Sequence, residues 1–168
     1  MFIAHAPAGY LLGTRCAAWL RDPPLTARAI ILACIAGSLL PDIDLLYFYL
    51  VDGGHTHHHK YVTHWPIAWG AVLALACAWV LAYRRSKAAL VLVLVAACAL
   101  VHLVMDTVVG DIWWLAPFVD RPYVLFHVQP RFTPWWLNFV LHWSFMAELA
   151  LTAWAIALYR RRARRRLA

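Results

Sequence analysis

The sequence predicts an all-α membrane protein, a polytopic bundle of transmembrane helices with about five membrane segments. Hydrophobic residues make up 64% of the 168 residues and charged residues 14%, whereas soluble domains average about 45–50% and about 25%. The apolar residues fall in runs close to the ~20 residues that a spanning helix needs. Most basic residues stand in short clusters beside these runs, the arrangement that fixes topology in membrane proteins.

Five apolar segments are predicted as helices. They cover about residues 4–20, 28–50, 66–83, 88–109 and 135–159. The first is short, and the second is interrupted by Pro41-Asp42-Ile43-Asp44, because proline disfavours helix for the residue before it. We expect residues 1–159 to form a single integral-membrane helical domain and residues 160–168 to form a basic cytoplasmic tail.

Basic side chains indicate which ends of the segments lie inside. The formal net charge is +7, but it stands beside apolar runs, so the lipid bilayer is the expected partner and nucleic acid is not. The clusters contain Arg15, Arg21, Arg28, Arg84, Arg85, Lys87 and the arginines of residues 160–166. When these are placed in the cytoplasm, the N-terminus lies outside and the C-terminus inside after five crossings. The sequence therefore predicts a protein integral to the cytoplasmic membrane.

Acidic and imidazole groups gather at the outer ends of the segments in this topology. At about 1.5 Å per residue, Asp42 lies about 21 Å from Arg28, and His64 about 30 Å from Arg84. The full group is His5, Asp42, Asp44, His59, His64, His102 and Asp106. Ionisable groups are costly in hydrocarbon, so their gathering predicts a functional site that faces the outside. Carboxylates and imidazoles are also ligands of divalent metals.

Two spacings support a metal site. His102 and Asp106 are four residues apart, so they share one helix face and can chelate one ion. Their alternative role is a hydrogen-bonded pair inside the bundle. Asp42 and Asp44 follow Pro41, and two carboxylates this close repel unless a cation or a shared proton lies between them. Their alternative is a surface turn at the end of a helix.

A run of histidines precedes the third segment. His64 is the strongest ligand candidate within it because it adjoins the start of the predicted helix. His59 is an intermediate candidate, and we interpret His55, His57 and His58 as solvated loop residues.

The motifs follow a fixed order along the chain. They are His5, Leu40-Pro-Asp-Ile-Asp44, His59-Lys60-Tyr-Val-Thr-His64, His102-x3-Asp106-Thr with Gly110, and Trp114-Leu-Ala-Pro-Phe118. The set resembles the YdjM-like family of bacterial and archaeal inner-membrane proteins, whose pattern reads roughly LPDxD, HRGxTHS, HxxxDxxT and a closing W-P-F. The resemblance covers about residues 1–118 and implies a membrane-bound metal-dependent hydrolase. Lys60, Tyr61 and Trp65 replace the family's Arg, Gly and Ser, which affects substrate contacts of this loop and not the metal ligands.

Together these features predict a membrane-embedded metal-dependent hydrolase, in which metal-activated water attacks a phosphoester or lipid-type substrate near the outer leaflet. The predicted metal ligands are His5, Asp42, Asp44, His64, His102 and Asp106. The predicted catalytic residues are Asp44, Asp106 and His59, and the predicted substrate-binding residues are Lys60, Arg121 and Arg131. Zinc is the favoured ion, with manganese or iron as alternatives.

Two other functions fit the same residues. A cation or proton carrier also uses buried acids and histidines, although the inner halves of the third and fourth segments are almost entirely apolar. A non-enzymatic membrane protein would use the polar cluster only to hold its helices together.

Overall fold

A computed structural model describes the backbone of residues 3–167 and the side chains of residues 3–165. It confirms the all-α class, with 67% helix. The described residues form no β-strand, and Ile112 and Tyr123 form an isolated β-bridge. The helices are α1 (His5–Trp19), α2 (Ala27–Leu39), α3 (Asp44–Leu50), α4 (Pro66–Ala82), α5 (Lys87–Asp106), α6 (Trp136–Val140) and α7 (Trp143–Leu167). Short 3₁₀ turns cover Leu40–Ile43, His58–Lys60 and Val62–His64.

Two helical stretches of the described chain are long and apolar enough to cross a membrane. They are Ala27–Leu50, which comprises α2, the following 3₁₀ turn and α3, and Lys87–Asp106, which is α5. The helix α4 is apolar but shorter. Length and composition therefore support two membrane-crossing stretches in the described chain and do not establish the predicted five.

The predicted interruption after Leu40 is present. Pro41 lies at the start of the Leu40–Ile43 turn, where its fixed φ suits a first helical turn and its missing N–H is not needed. The chain passes through this turn from α2 into α3 without a loop, and Asp42 and Asp44 lie just after the end of α2.

The last predicted segment is broken rather than continuous. The Asn138 side chain accepts hydrogen bonds from the backbone N–H groups of Arg131 and Phe132 and donates to the carbonyl of Trp135. These bonds hold α6 as a separate short turn. The Ser144 N–H then donates to His142 Nδ1, which starts α7 anew. This helix runs on to Leu167, so the basic tail continues α7 without a break.

The helices pack in a simple order. The helix α1 contacts α2 and α7, and α5 contacts α2 and α4. A core of Ile30, Cys34, Leu94 and Cys98 lies between α2 and α5. The end of α2, the start of α4 and the end of α5 lie at the same end of the bundle, so α2 and α5 run parallel and α4 runs opposite to both.

The basic loops meet at the other end of the bundle. Arg85, in the loop between α4 and α5, forms an ion pair with Asp22, in the loop after α1, at 2.7 Å. This contact joins two of the basic clusters that the sequence predicts to lie in the cytoplasm.

The α2–α5 contact depends on Gly37. A Cβ atom on this residue would lie 2.7 Å from the Cα of Val95 and would also clash with the Val95 carbonyl oxygen. Since both contacts are with backbone, the helices would have to move apart. We expect Gly37→Ala to lower the free energy of unfolding by about 1–3 kcal/mol, measured by thermal unfolding in detergent with circular dichroism.

Gly70 provides the matched control for this substitution. It lies inside α4, and a Cβ atom there would meet nothing within 4 Å. Gly70→Ala should leave stability unchanged or raise it by up to about 1 kcal/mol, because glycine is entropically costly in a helix. Equal melting temperatures for the two variants would contradict the close approach of α2 to α5.

Glu148 ties α1 to α7. Its side chain is 3% exposed, and its Oε2 atom accepts hydrogen bonds from the backbone N–H groups of Ile3 and Ala4 at 2.7 and 3.2 Å. In the sequence this acid stands within the last apolar segment. The contact places the chain immediately before His5.

We expect Glu148→Ala to destabilise the protein by about 1.5–3 kcal/mol, since hydrogen bonds to a charged acceptor are lost and the two N–H groups are left without it. Glu148→Gln keeps an oxygen acceptor and should lose less. Chemical unfolding of both variants, followed by tryptophan fluorescence, measures the difference. An alanine variant as stable as the glutamine variant would show that these hydrogen bonds contribute little.

Candidate metal centre

Four side chains from three parts of the chain converge at one end of the bundle. Asp42, His64, His102 and Asp106 each offer one ligand atom, and these atoms all lie within 4.8 Å of one another. His64, His102 and Asp106 are almost fully buried, and the Asp42 side chain is 29% exposed. We call these four residues the central cluster.

The distances within the central cluster are those of atoms that could share one ion. Asp42 Oδ1 lies 3.6 Å from His102 Nε2 and 3.7 Å from His64 Nε2. Asp106 Oδ2 lies 2.9 Å from His102 Nε2 and 4.0 Å from His64 Nε2. Ligands held tetrahedrally at the usual zinc distances lie about 3.3–3.6 Å apart, which is inside this range.

Both histidines turn the same nitrogen toward the centre. His102 Nδ1 donates to the backbone carbonyl of Ser38 at 2.8 Å, and His64 Nδ1 donates to Asp44 Oδ2 at 2.6 Å. Such partners fix the tautomer and orientation of metal-binding imidazoles. In a neutral ring with the proton on Nδ1, the Nε2 atom is an acceptor with a free lone pair.

The chemistry of this donor set fits a divalent cation. The Nε2 atoms of His64 and His102 are buried and have no hydrogen-bond partner among the described residues. His102 Nε2 nevertheless faces a carboxylate oxygen of Asp106 at 2.9 Å. Two lone pairs this close repel unless a cation or an additional proton lies between them. The mixture of imidazole and carboxylate ligands suits zinc, manganese or iron.

His59 lies beside the central cluster. Its Nδ1 donates to the backbone carbonyl of Asp111 at 2.9 Å, and its Nε2 lies 3.8 Å from Asp106 Oδ2. Burial is the main cause that lowers the pKa of His59 to about 2, so the ring is neutral and its Nε2 lone pair can bind a metal. A Cβ atom on Gly110 would lie 3.0 Å from the His59 ring, so glycine there leaves room for it.

His5 and Asp44 support the central cluster from outside. His5 Nε2 lies 3.1 Å from Asp106 Oδ1, the oxygen that faces away from His102, and its ring stacks on His102 with 3.8 Å between centroids. Asp44 Oδ2 accepts from His64 Nδ1 and from the Thr63 hydroxyl. The structure thus places both predicted ligands next to the cluster as partners of its members. Their direct binding to metal stays a prediction.

The side chains predicted to bind substrate have different surroundings. Lys60 Nζ forms an ion pair with Asp120 at 2.9 Å and lies 5.1 Å from the centre of the Trp113 ring. The Trp113 indole also donates to Asp120 at 2.6 Å, and these two donors lower the pKa of Asp120. Lys60 is thus already paired next to His59, whereas Arg121 lies over the exposed Tyr123 ring at 5.9 Å.

Arg131 is exposed, and its backbone N–H binds Asn138. Within the described chain, neither Arg131 nor Arg121 forms a hydrogen bond or ion pair with the central cluster. A role of the three cations in binding substrate stays a prediction.

One residue that sequence reasoning assigned to solvent belongs to this region. The His58 side chain is 27% exposed, and its Nδ1 atom lies 3.8 Å from Asp44 Oδ1. The histidine run alone could not distinguish it from its neighbours, because a loop has no periodicity to predict which way each side chain points.

The fold and the site define an all-helical membrane protein with a buried histidine–aspartate centre at one end of its helices. The sequence model of the YdjM inner membrane protein family matches residues 1–166, and the chain belongs to this family. The match extends the predicted resemblance from residues 1–118 over almost the whole chain and confirms a membrane location. Comparisons with curated proteins and with solved structures give no match.

Proposed function

We propose that this protein is a metal-dependent hydrolase embedded in the cytoplasmic membrane, with its site near the outer leaflet. The observation that carries the proposal is the pair of buried Nε2 atoms of His64 and His102 that face the carboxylates of Asp42 and Asp106. A divalent metal held by these four residues would activate water and polarise the bond under attack.

The surrounding residues have complementary roles in this proposal. Asp44 holds His64 through Nδ1, and His5 holds Asp106 through the oxygen that faces away from His102. His59 is neutral and directs Nε2 toward the cluster, so it is proposed as a further metal ligand. Buried side chains that are held at both ends provide the fixed geometry that catalysis requires.

The exposure of Asp42 favours a substrate that comes from the lipid phase. It is the member of the central cluster with substantial exposure, and its chain neighbours Leu39, Leu40 and Ile43 are 45%, 36% and 52% exposed. In a membrane protein, exposed apolar side chains of this kind face acyl chains. We therefore propose a lipid-type phosphoester whose headgroup reaches the centre beside Asp42.

The proposed topology has five crossings, with the N-terminus outside and the C-terminus in the cytoplasm. The Asp22–Arg85 ion pair supports it, because the basic loops lie together at the end opposite the site. Cysteine labelling from each side of the membrane tests the orientation. Labelling of His57→Cys from outside and of Arg85→Cys from inside is the expected result, and the reverse pattern would place the site in the cytoplasm.

Hydrolysis is tested with purified, metal-loaded protein in vesicles that contain phospholipids with phosphoester headgroups. Release of the headgroup or of phosphate, followed by phosphorus NMR, should stop after chelation of the metal. It should fall at least about 100-fold in Asp42→Asn, because the metal that stabilises the transition state loses a charged ligand. His127→Ala, a change at an exposed histidine, is the control. Loaded protein without turnover of any such lipid would contradict the proposed reaction.

A structural role for the polar cluster is the main competing function. It is favoured by the hydrogen bonds His5–Asp106 and His64–Asp44, which connect α1 with α5 and the end of α2 with the start of α4. In that case an extra proton rather than a metal would lie between His102 and Asp106, and the purified protein would bind no divalent ion.

A further inference from the structure

A second group of metal-binding side chains adjoins the central cluster. One ring nitrogen each of His58, His59 and His64 lies within 4.8 Å of the other two. His64 belongs to both groups, whereas His58 has no part in the central cluster. The ring of His58 lies against that of His59, with 4.0 Å between centroids.

The buried carboxylate of Asp44 points to a ligand in this second group. Its Oδ2 atom is already bonded to His64 and Thr63. Its Oδ1 atom is buried and without a hydrogen-bond partner in the described chain, and the same holds for His58 Nδ1. These two atoms face each other at 3.8 Å, too far apart for a hydrogen bond. The Asp44 side chain is only 4% exposed, and a buried charged oxygen without a donor is costly.

We propose that a second divalent cation binds between Asp44 Oδ1 and the His58 imidazole, with His59 as its third protein ligand. The spacing of Asp44 Oδ1 and His58 Nδ1 suits two ligands of one ion better than a direct contact, because ligands of a tetrahedral ion lie about 3.3–3.6 Å apart. His64 separates the two ions: its Nε2 faces the central cluster, and its Nδ1 is bonded to the other oxygen of Asp44.

A second cation would narrow the substrate class. Paired cations are used to stabilise both the attacking and the leaving oxygen in displacement at phosphorus. The second ion thus deepens the proposed function by favouring a phosphoester over a carboxylic ester. The second site rests on the proposed function, because a paired-cation role requires a first ion in the neighbouring central cluster.

The test is the zinc content of the full-length protein in detergent, after incubation with zinc and removal of loosely bound ions. Inductively coupled plasma mass spectrometry should find two ions per chain in the unchanged protein and one in His58→Ala. His55→Ala is the matched control, since His55 is an exposed histidine of the same run, and should keep two. Circular dichroism confirms the helical content of each variant, and His58→Asn replaces the alanine variant if that one does not fold.

Each outcome separates the two claims. One ion in the unchanged protein, kept in His58→Ala, would overturn the second site and leave the central one intact. No ion at all would overturn the proposed function as well. Two ions in His58→Ala would overturn the assignment of His58, and a loss in His55→Ala equal to that in His58→Ala would show adventitious binding by the histidine run.

Discussion

Replacing His102 with alanine is expected to weaken zinc binding at the proposed metal site of the central cluster. The His102 imidazole is fully buried, is held by the Ser38 carbonyl, and faces both Asp42 and Asp106. Loss of a residue that only hydrogen-bonds to a metal ligand typically weakens metal binding about 10–100-fold. Loss of the ligand itself should therefore weaken it more than about 100-fold, measured by competition with a chromophoric chelator.

His142→Ala is the control for this experiment. His142 is bonded to Ser144 at the start of α7 and lies outside the central cluster. Its replacement should leave the affinity for zinc unchanged. A His102→Ala protein that binds zinc as tightly as the His142→Ala protein would remove the central cluster as a metal site.

Asp106→Asn should have the largest combined effect on metal content and stability. Asp106 is 1% exposed, and its two oxygens face His5 and His102 at 3.1 and 2.9 Å. Breaking a buried charged pair by removing one partner costs about 3–5 kcal/mol, and the amide also lacks the charge that attracts a cation. We expect a protein without metal whose thermal unfolding in detergent occurs at a markedly lower temperature.

Asp22→Asn makes the same chemical change at an exposed ion pair. The Asp22 side chain is 80% exposed beside Arg85, and such pairs contribute about 0–1 kcal/mol. Melting curves of the two variants should differ clearly. If Asp106→Asn unfolds at the same temperature as Asp22→Asn and keeps its metal, Asp106 is neither a metal ligand nor a side chain that stabilises the fold.

The helical fold and most of the candidate site were predictable from local rules. The spacing of His102 and Asp106 is set by helix geometry, and the structure places both in the cluster. The effect of Pro41 on the helix was likewise local. The prediction that the site residues lie at one end of the bundle followed from the positions of the basic loops, because these determine in which direction each segment runs.

The division of roles between neighbouring residues was not predictable in this way. Asp42 and Asp44 look equivalent in sequence, but the 3₁₀ turn directs one to the central cluster and the other to His64 Nδ1. His58 and His57 differ for a similar reason, since only tertiary packing sets loop side chains. The break before α7 depends on hydrogen bonds of Asn138 to the preceding loop, and no helix periodicity encodes these.

The most direct test of the metal centre is a crystal structure of zinc-loaded protein with diffraction data collected at the zinc absorption edge. We predict an anomalous peak enclosed by Asp42, His64, His102 and Asp106, in contact with both Nε2 atoms. A map without a peak there, in which His102 Nε2 is hydrogen-bonded directly to the Asp106 carboxylate, would contradict it.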